Sequence, residues 1–207
     1  MSSELRFENT GYITGLSEVR IAFGVCGAYH QLTKVEQMMK NLRQGGAIIH
    51  PVLSQTICQF DTKAGKSEYW TKALTDAAGK NPITDIVGAE TFGPNDITDI
   101  MLIAPCTGTT LSRLGTGLSD NSVSLAAKAH LRTEKPVIIL VSTNDGLSLN
   151  AENIAKLLNM PNVYFVPFGQ DNPKLKPNSL VGHFEDIPAT IEYALNREQI
   201  QPVLKNW

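Results

Sequence analysis

Cysteine is scarce in this chain, and its placement predicts neither a disulfide framework nor a metal site. Only three of the 207 residues are cysteines, Cys26, Cys58 and Cys106. Their odd number and wide spacing exclude the paired cysteines of a secreted scaffold and the C-x-x-C pairs of a zinc site. The four histidines also lack the spacing of metal ligands. We therefore expect no metal and a reducing environment.

The chain also lacks an excess of charge of one sign and any long apolar run. It has 18 Lys and Arg against 20 Asp and Glu, a formal net charge of −2. Such a balance gives no general attraction to nucleic-acid phosphates or anionic lipids. No apolar stretch approaches the ~20 residues that span a bilayer, and the first residues do not resemble a secretory signal. We expect a cytoplasmic protein with no nucleic-acid or membrane partner.

Short apolar runs alternate with segments of helical spacing along the chain. The runs are 19–25, 47–53, 100–104, 136–141 and 163–168. Because they are apolar throughout, they predict strands of a parallel sheet that is covered on both faces. The spacing predicts helices at 35–42, 67–78, 153–158 and 187–195, and one or two helices over 111–131 with a break near Gly115 and Gly117. Residues 61–94 mix Gly, Lys and Asp with isolated apolar residues, and after the helix at 67–78 we expect an irregular excursion.

This alternation predicts an α/β fold, a three-layer doubly wound parallel sheet of the flavodoxin-like or Rossmann-like type. The length fits one domain over residues 1–207, with residues 1–18 as a flexible N-terminal extension. In such a fold the ligand lies beyond the carboxyl ends of the strands. The turns that follow the strands are therefore the first places to look for chemistry.

The turns after the first two strands carry small and hydroxyl-bearing residues. The first contains Gly24, Val25, Cys26, Gly27 and Ala28, and the second contains Ser54 and Thr56. Small residues let the backbone approach a phosphate, and hydroxyls can donate to it. His30 stands where G-x-G-x-x-G would have its third glycine, so a tight turn without ligand stays open. An N-capping role stays open for Ser54 and Thr56.

The turns after the third and fourth strands are richer in polar groups. The third contains Pro105, Cys106, Thr107, Thr109 and Thr110, and the fourth contains Ser142 and Asn144. The third turn opens a helix, whose N-terminal N–H groups suit a phosphate or a ring edge, although an N-capped structural turn is the alternative. In the fourth turn an amide could meet the carbonyl and ring nitrogen of a heterocycle. All four turns belong to one edge of the predicted sheet, which favours a nucleotide pocket there. A small buried cysteine is common in such turns, so neither Cys26 nor Cys106 is assigned a catalytic role.

These turns resemble those of the homo-oligomeric flavoproteins, the family of cysteine decarboxylases, phosphopantothenoylcysteine decarboxylase and flavin prenyltransferases. Residues 104–110, Ala-Pro-Cys-Thr-Gly-Thr-Thr, run parallel to the family's Pro-Ala-Ser-Ala-Asn-Thr segment, and residues 117–121 run parallel to its Gly-x-x-Asp-Asn continuation. Residues 24–28 resemble its first flavin-phosphate loop, and Ser54 falls at a second phosphate-binding hydroxyl. The resemblance implies FMN held by the four turns.

Departures from the family pattern argue against decarboxylation. Thr109 stands where the decarboxylases carry the Asn that holds the substrate carboxylate. Val-Ser-Thr-Asn at 141–144 replaces their Pro-x-Met-Asn, and the following Met-Trp is absent. The stretch 142–145 and the runs 165–173 and 176–179 instead resemble a branch of the family that supplies the second chain of a sporulation oxidoreductase.

That branch implies a partner chain, the A subunit, which carries NAD(P) and oxidises a small dicarboxylate together with this chain in the mother cell of a sporulating bacterium. A dianionic substrate needs cations, and Arg113 and Lys128 are candidates, with a solvated helix face as the alternative. The family also implies a homo-oligomer, a trimer or a multiple of trimers. Two other roles stay open: a stand-alone FMN-dependent decarboxylase or prenyltransferase-like enzyme, and a non-catalytic assembly subunit.

Overall fold

Five parallel strands form the centre of the protein, a computed structural model that describes residues 15–206. The strands are β1 (Arg20–Val25), β2 (Ile48–Leu53), β3 (Ile100–Cys106), β4 (Val137–Thr143) and β5 (Val163–Phe165). Their order in the sheet is β2-β1-β3-β4-β5. This is the order of flavodoxin-like doubly wound folds, so the predicted fold class is confirmed.

Helices cover both faces of the sheet. They are α1 (Leu32–Gln44), α2 (Gln55–Gln59), α3 (Ser67–Ala78), α4 (Ile86–Glu90), α5 (Gly108–Thr116), α6 (Ser122–Arg132), α7 (Ala151–Leu158) and α8 (Ile187–Leu195). Leu102 of β3 packs into the core cluster that contains residues of α1, α3 and α8. Its neighbours Met101 and Ile103 pack into the other cluster, with residues of α4 to α7. Successive residues of a strand point to opposite faces, so one apolar run supplies both cores.

A small antiparallel extension corrects the prediction of a single strand at 163–168. That run ends as β5 at Phe165, and a separate strand β6 (Phe168–Gly169) follows Pro167. Pro167 has no N–H to donate to the β4 ladder, and β6 pairs instead with β7 (Leu180–Gly182). β7 also pairs antiparallel with the end of β4. The chain between β6 and β7 is thereby brought to the carboxyl edge of the sheet.

Two other predictions differ from the structure in detail. The predicted helical stretch 111–131 breaks at Gly117, whose φ of 74° is the left-handed conformation that glycine adopts most easily. Asn121 then caps α6, since its side-chain oxygen accepts a 2.9 Å hydrogen bond from the Ser124 N–H. The excursion after α3 contains the short helix α4.

The predicted N-terminal extension falls largely on residues outside the described range. Within that range Leu16 is buried, and the Glu18 N–H donates a 2.9 Å hydrogen bond to the Gly46 carbonyl. Residues 15–18 therefore pack against the domain. None of the helices between residues 15 and 206 combines the length and apolar character needed to cross a membrane.

Candidate functional site

Two adjoining cavities lie at the edge where β1, β2, β3 and β4 end. The larger has a volume of about 680 Å³ and the smaller about 300 Å³. Gly27, Thr107 and Thr109 line both. Volumes of this order are typical of small-molecule and cofactor sites. The four turns predicted to converge therefore do so.

The smaller cavity holds a buried hydroxyl without a hydrogen-bond partner. Ser54 is only 8% exposed, and within residues 15–206 its Oγ has no partner. It is the N-cap residue of α2, but its side chain makes no capping hydrogen bond. An unpaired buried hydroxyl is costly, and an acceptor in the cavity would remove that cost. This is what a site for an anionic ligand requires.

The first turn of α5 forms the opposite side of the smaller cavity. Its N-cap residue, Thr107, makes no side-chain capping hydrogen bond. Thr110 donates a 3.2 Å hydrogen bond to the Cys26 sulfur, and Arg113 lines the same cavity while its guanidinium pairs with Asp120 at 2.6 Å. Helix N–H groups, the helix dipole and a guanidinium all favour a negative charge. The residues present therefore fit a phosphate group.

The larger cavity is bounded by a hydrogen-bonded network that begins at the end of β4. The Thr143 hydroxyl donates to Asp145 Oδ1. The Asn150 amide donates to both Asp145 carboxylate oxygens, at 3.0 and 2.9 Å. Asn150 Oδ1 in turn accepts a 2.9 Å hydrogen bond from Ser112 Oγ on α5. The carboxylate of Asp145 is thus held in one orientation and is supplied with donors.

Gly108 lets the start of α5 approach this network closely. A Cβ at this position would lie 2.5 Å from Thr143 Oγ1 and 2.8 Å from both Asn150 Nδ2 and Asp145 Oδ1. Real Cβ contacts are not that short, so a side chain here would force the two turns apart. Glycine at 108 therefore fixes the wall that separates and shapes the two cavities.

The two cysteines of the site are buried neutral thiols. Burial raises the pKa of Cys26 to about 11 and that of Cys106 well above its ordinary value. A thiol, unlike a thiolate, is a poor nucleophile. Both side chains therefore act in packing at neutral pH.

Most of the residues predicted for the site line one of the two cavities. The smaller contains Cys26, Gly27, Ser54, Thr56, Thr107, Thr109 and Thr110, and the larger contains Ser142 and Asn144 in addition to the shared residues. Gly24, Val25, Pro105 and Cys106 line neither. They lie in β1 and β3 behind the walls, and a Cβ on Gly24 would lie 3.1 Å from Met101 and Val123.

Several cavity residues were not predicted from sequence. The larger cavity is also lined by Tyr29, Asp171, Lys176, Ser179 and Val181, and by His30, which the sequence suggested to be a surface or packing residue. The signal for the later residues was the run 165–179, whose position next to β4 depends on the pairing of β7. Of the two predicted cations, Arg113 lines the smaller cavity and Lys128 lines neither. Between residues 15 and 206 no three His, Cys, Asp or Glu side chains come together as metal ligands.

Comparison with known proteins identifies relatives over nearly the whole chain. The Flavoprotein family profile matches residues 12–197. The B subunit of dipicolinate synthase from Bacillus subtilis (strain 168) is 39% identical over 192 residues, which cover 93% of this chain and 96% of that protein. The crystal structure of the corresponding B subunit from Bacillus halodurans superposes with a TM-score of 0.86 at 40% identity, covering 93% of this chain and 99% of that one.

A more distant structure shares the fold. The FMN-dependent cysteine decarboxylase SpaF superposes with a TM-score of 0.63 at 20% identity, over 87% of this chain and 99% of that one. At that identity the likeness concerns the architecture alone.

Proposed function

Since this chain belongs to the Flavoprotein family, we propose that it is the B subunit of a dipicolinate synthase and works with the A subunit of that enzyme in oxidising dihydrodipicolinate to dipicolinate during sporulation. The similarity to B subunits from two Bacillus species over more than nine-tenths of the chain supports this assignment. The whole chain, residues 1–207, would form one domain of that enzyme. Its place would be the cytoplasm of the mother cell.

The cofactor proposed for this chain is FMN. The observation that carries this proposal is the unpaired, buried Ser54 Oγ beside the uncapped first turn of α5. Ser54, Thr107 and Thr110 would hold the phosphate in the smaller cavity, and Gly27 would let the backbone come close to it. Ser142 and Asn144 would meet the ring from the larger cavity. FMN, when bound, supplies a two-electron acceptor.

The residues of this chain contribute binding and orientation to the reaction. Asp145 holds the end of β4 to α7 through Asn150, so the groups that face the larger cavity keep fixed positions. Preorganised donors act on a bound ligand without rearranging, which is the main contribution a protein makes in cofactor chemistry. The proton lost in the oxidation would leave through the open side of the larger cavity.

The partner chain would carry NAD(P), and this chain would itself form a trimer or a multiple of trimers. Both statements rest on the resemblance to the family and its B subunits. The name of the relative, which is the second of two lettered chains, supports the existence of a partner.

The cofactor proposal is tested by the visible spectrum of the purified protein and by titration with FMN. We expect flavin absorbance bands, or saturable quenching of FMN fluorescence by the protein as purified. A protein that neither contains nor takes up flavin would overturn the cofactor proposal.

The partner proposal is tested by co-expression with a tagged form of the partner chain and assay of dihydrodipicolinate oxidation. We expect this chain to co-purify with the partner and to raise its activity. Full activity of the partner in isolation, with no association, would exclude both the catalytic and the assembly role.

A further inference from the structure

The segment between β6 and β7, residues 170–179, forms a wall of the larger cavity. Asp171, Lys176 and Ser179 line that cavity opposite the turns after β1 and β4. The segment is internally bonded, since the Lys176 N–H donates to the Asn172 carbonyl at 2.8 Å and the Ser179 N–H donates to the Lys176 carbonyl at 3.1 Å. The Asn178 carbonyl accepts a 3.0 Å hydrogen bond from the Leu147 N–H. The wall is thereby attached to the turn after β4.

Lys176 has donors available for a ligand. Among the described residues that line the larger cavity, it is the one lysine or arginine. Its ammonium lies 3.6 Å from Asp171 Oδ2, beyond the usual range of a hydrogen bond. An ammonium has three N–H donors, so pairing with Asp171 leaves others for a second carboxylate. The side chain is 55% exposed and can turn toward the cavity.

The other charges of this cavity make a cation necessary for an anionic ligand. Asp145 and Asp171 both face it. Asp145 is already supplied with donors by Thr143 and Asn150, whereas Asp171 has Lys176 as its ion-pair partner. A dianion would enter this site only if a positive charge offset the Asp171 carboxylate. Lys176 lies where it can bridge the two.

We propose that Lys176 is the residue that binds a carboxylate of the substrate and that residues 170–179 form the substrate side of the larger cavity. The inference rests on the proposed function, because it takes the substrate to be a small dicarboxylate. Asp171 is then a positioning residue, which holds the Lys176 ammonium at the cavity mouth. Lys128, a candidate for this role from sequence, lies on a helix that the structure places away from the cavity.

Calorimetric titration with pyridine-2,6-dicarboxylate tests this inference. We expect Lys176→Met to weaken binding at least about tenfold, the usual effect of losing one charge-assisted contact. Lys176→Arg should recover part of the affinity. Lys174→Met is the matched control, because Lys174 is an exposed lysine of the same segment that does not line the cavity. It should bind within about twofold of the unmodified protein, as charge at this distance is screened.

A neutral analogue separates charge from shape. Pyridine-2,6-dicarboxamide should bind the unmodified protein and Lys176→Met with equal affinity. In the complex with the partner chain, Lys176→Met should raise KM for the dicarboxylate and leave kcat nearly unchanged, because it removes binding rather than chemistry.

The outcomes distinguish this inference from the function on which it rests. If the unmodified protein binds the dicarboxylate and Lys176→Met binds it equally well, the role of Lys176 is wrong and the proposed function stands. If the unmodified protein does not bind the dicarboxylate, both fail. FMN titration of each variant is read separately, and unchanged FMN affinity in Lys176→Met supports a substrate role over a structural one.

Discussion

Replacing Ser54 by alanine should stabilise the flavin-free protein and weaken flavin binding. The buried Oγ has no partner within the described chain and gives no capping bond to α2. Leaving a buried hydroxyl unpaired costs about 1–3 kcal/mol, so its removal should raise the free energy of unfolding by about 1 kcal/mol. A hydrogen bond to a charged acceptor contributes about 1.5–3 kcal/mol. The Kd for FMN should therefore rise about tenfold to a hundredfold.

Ser122 provides a control of opposite sign. Its Oγ is buried and donates a 2.7 Å hydrogen bond to the Leu53 carbonyl, next to Ser54 in sequence. Ser122→Ala should lower the free energy of unfolding by about 1–3 kcal/mol because it leaves that carbonyl short of a donor.

Thermal unfolding with and without FMN measures both variants. Near 200 residues, about 1 kcal/mol corresponds to about 2–4 °C in Tm. We expect Ser54→Ala to melt above the unmodified protein without FMN and to gain less from added FMN. The reasoning is refuted if Ser54→Ala melts as low as Ser122→Ala, or if it binds FMN as tightly as the unmodified protein.

Two further predictions follow from buried titratable groups. In the native protein a disulfide reagent at pH 8 should modify the half-buried Cys58 first, and Cys26 and Cys106 only after denaturation, because burial holds the pKa of Cys26 at about 11 and that of Cys106 well above its ordinary value. Burial lowers the pKa of His130 from 6.5 to about 4, so the unfolded chain binds a proton in this pH window that the folded chain does not. Stability should therefore fall by up to about 3 kcal/mol as the pH is lowered from 6.5 to 4, and urea denaturation of His130→Gln should show a weaker dependence there.

The sheet and its ligand-binding edge could be predicted from sequence for a physical reason. A strand that is covered on both faces has an uninterrupted apolar run, and β1, β2, β3 and β4 all have one. Parallel strands place all their following turns at one edge, so finding the strands also located the turns. Ser54 was therefore brought beside Thr107 without any knowledge of the contact between them.

The substrate side of the larger cavity could not be predicted in the same way. β7 has only three residues, Leu180–Gly182, and pairs antiparallel with a strand far earlier in the chain. Three residues carry no detectable periodicity, and a non-local pairing leaves no local signal. Without that pairing, nothing in the sequence places Lys176 near Ser142.

The helix cations show a second limit of the sequence. Arg113 and Lys128 were chosen because they follow the third turn, but helical spacing does not tell which face of a helix meets a cavity at its N-terminus. Arg113 lies one turn into α5 and reaches the smaller cavity, whereas Lys128 lies in the second half of α6 and contacts Ser119 at 3.4 Å. Distance from the helix start, rather than charge, decided between them.

The common wall of the two cavities has a consequence for how they work together. Thr107 and Thr109 line both, and Gly108 between them is packed against the network around Asp145. A ligand that orders the first turn of α5 from one side thereby fixes the wall that a ligand on the other side contacts. Such coupling is reciprocal, since a change in one affinity implies the same factor in the other. We therefore expect dicarboxylate to bind more tightly to the FMN-loaded protein, and FMN to bind more tightly in the presence of dicarboxylate by the same factor.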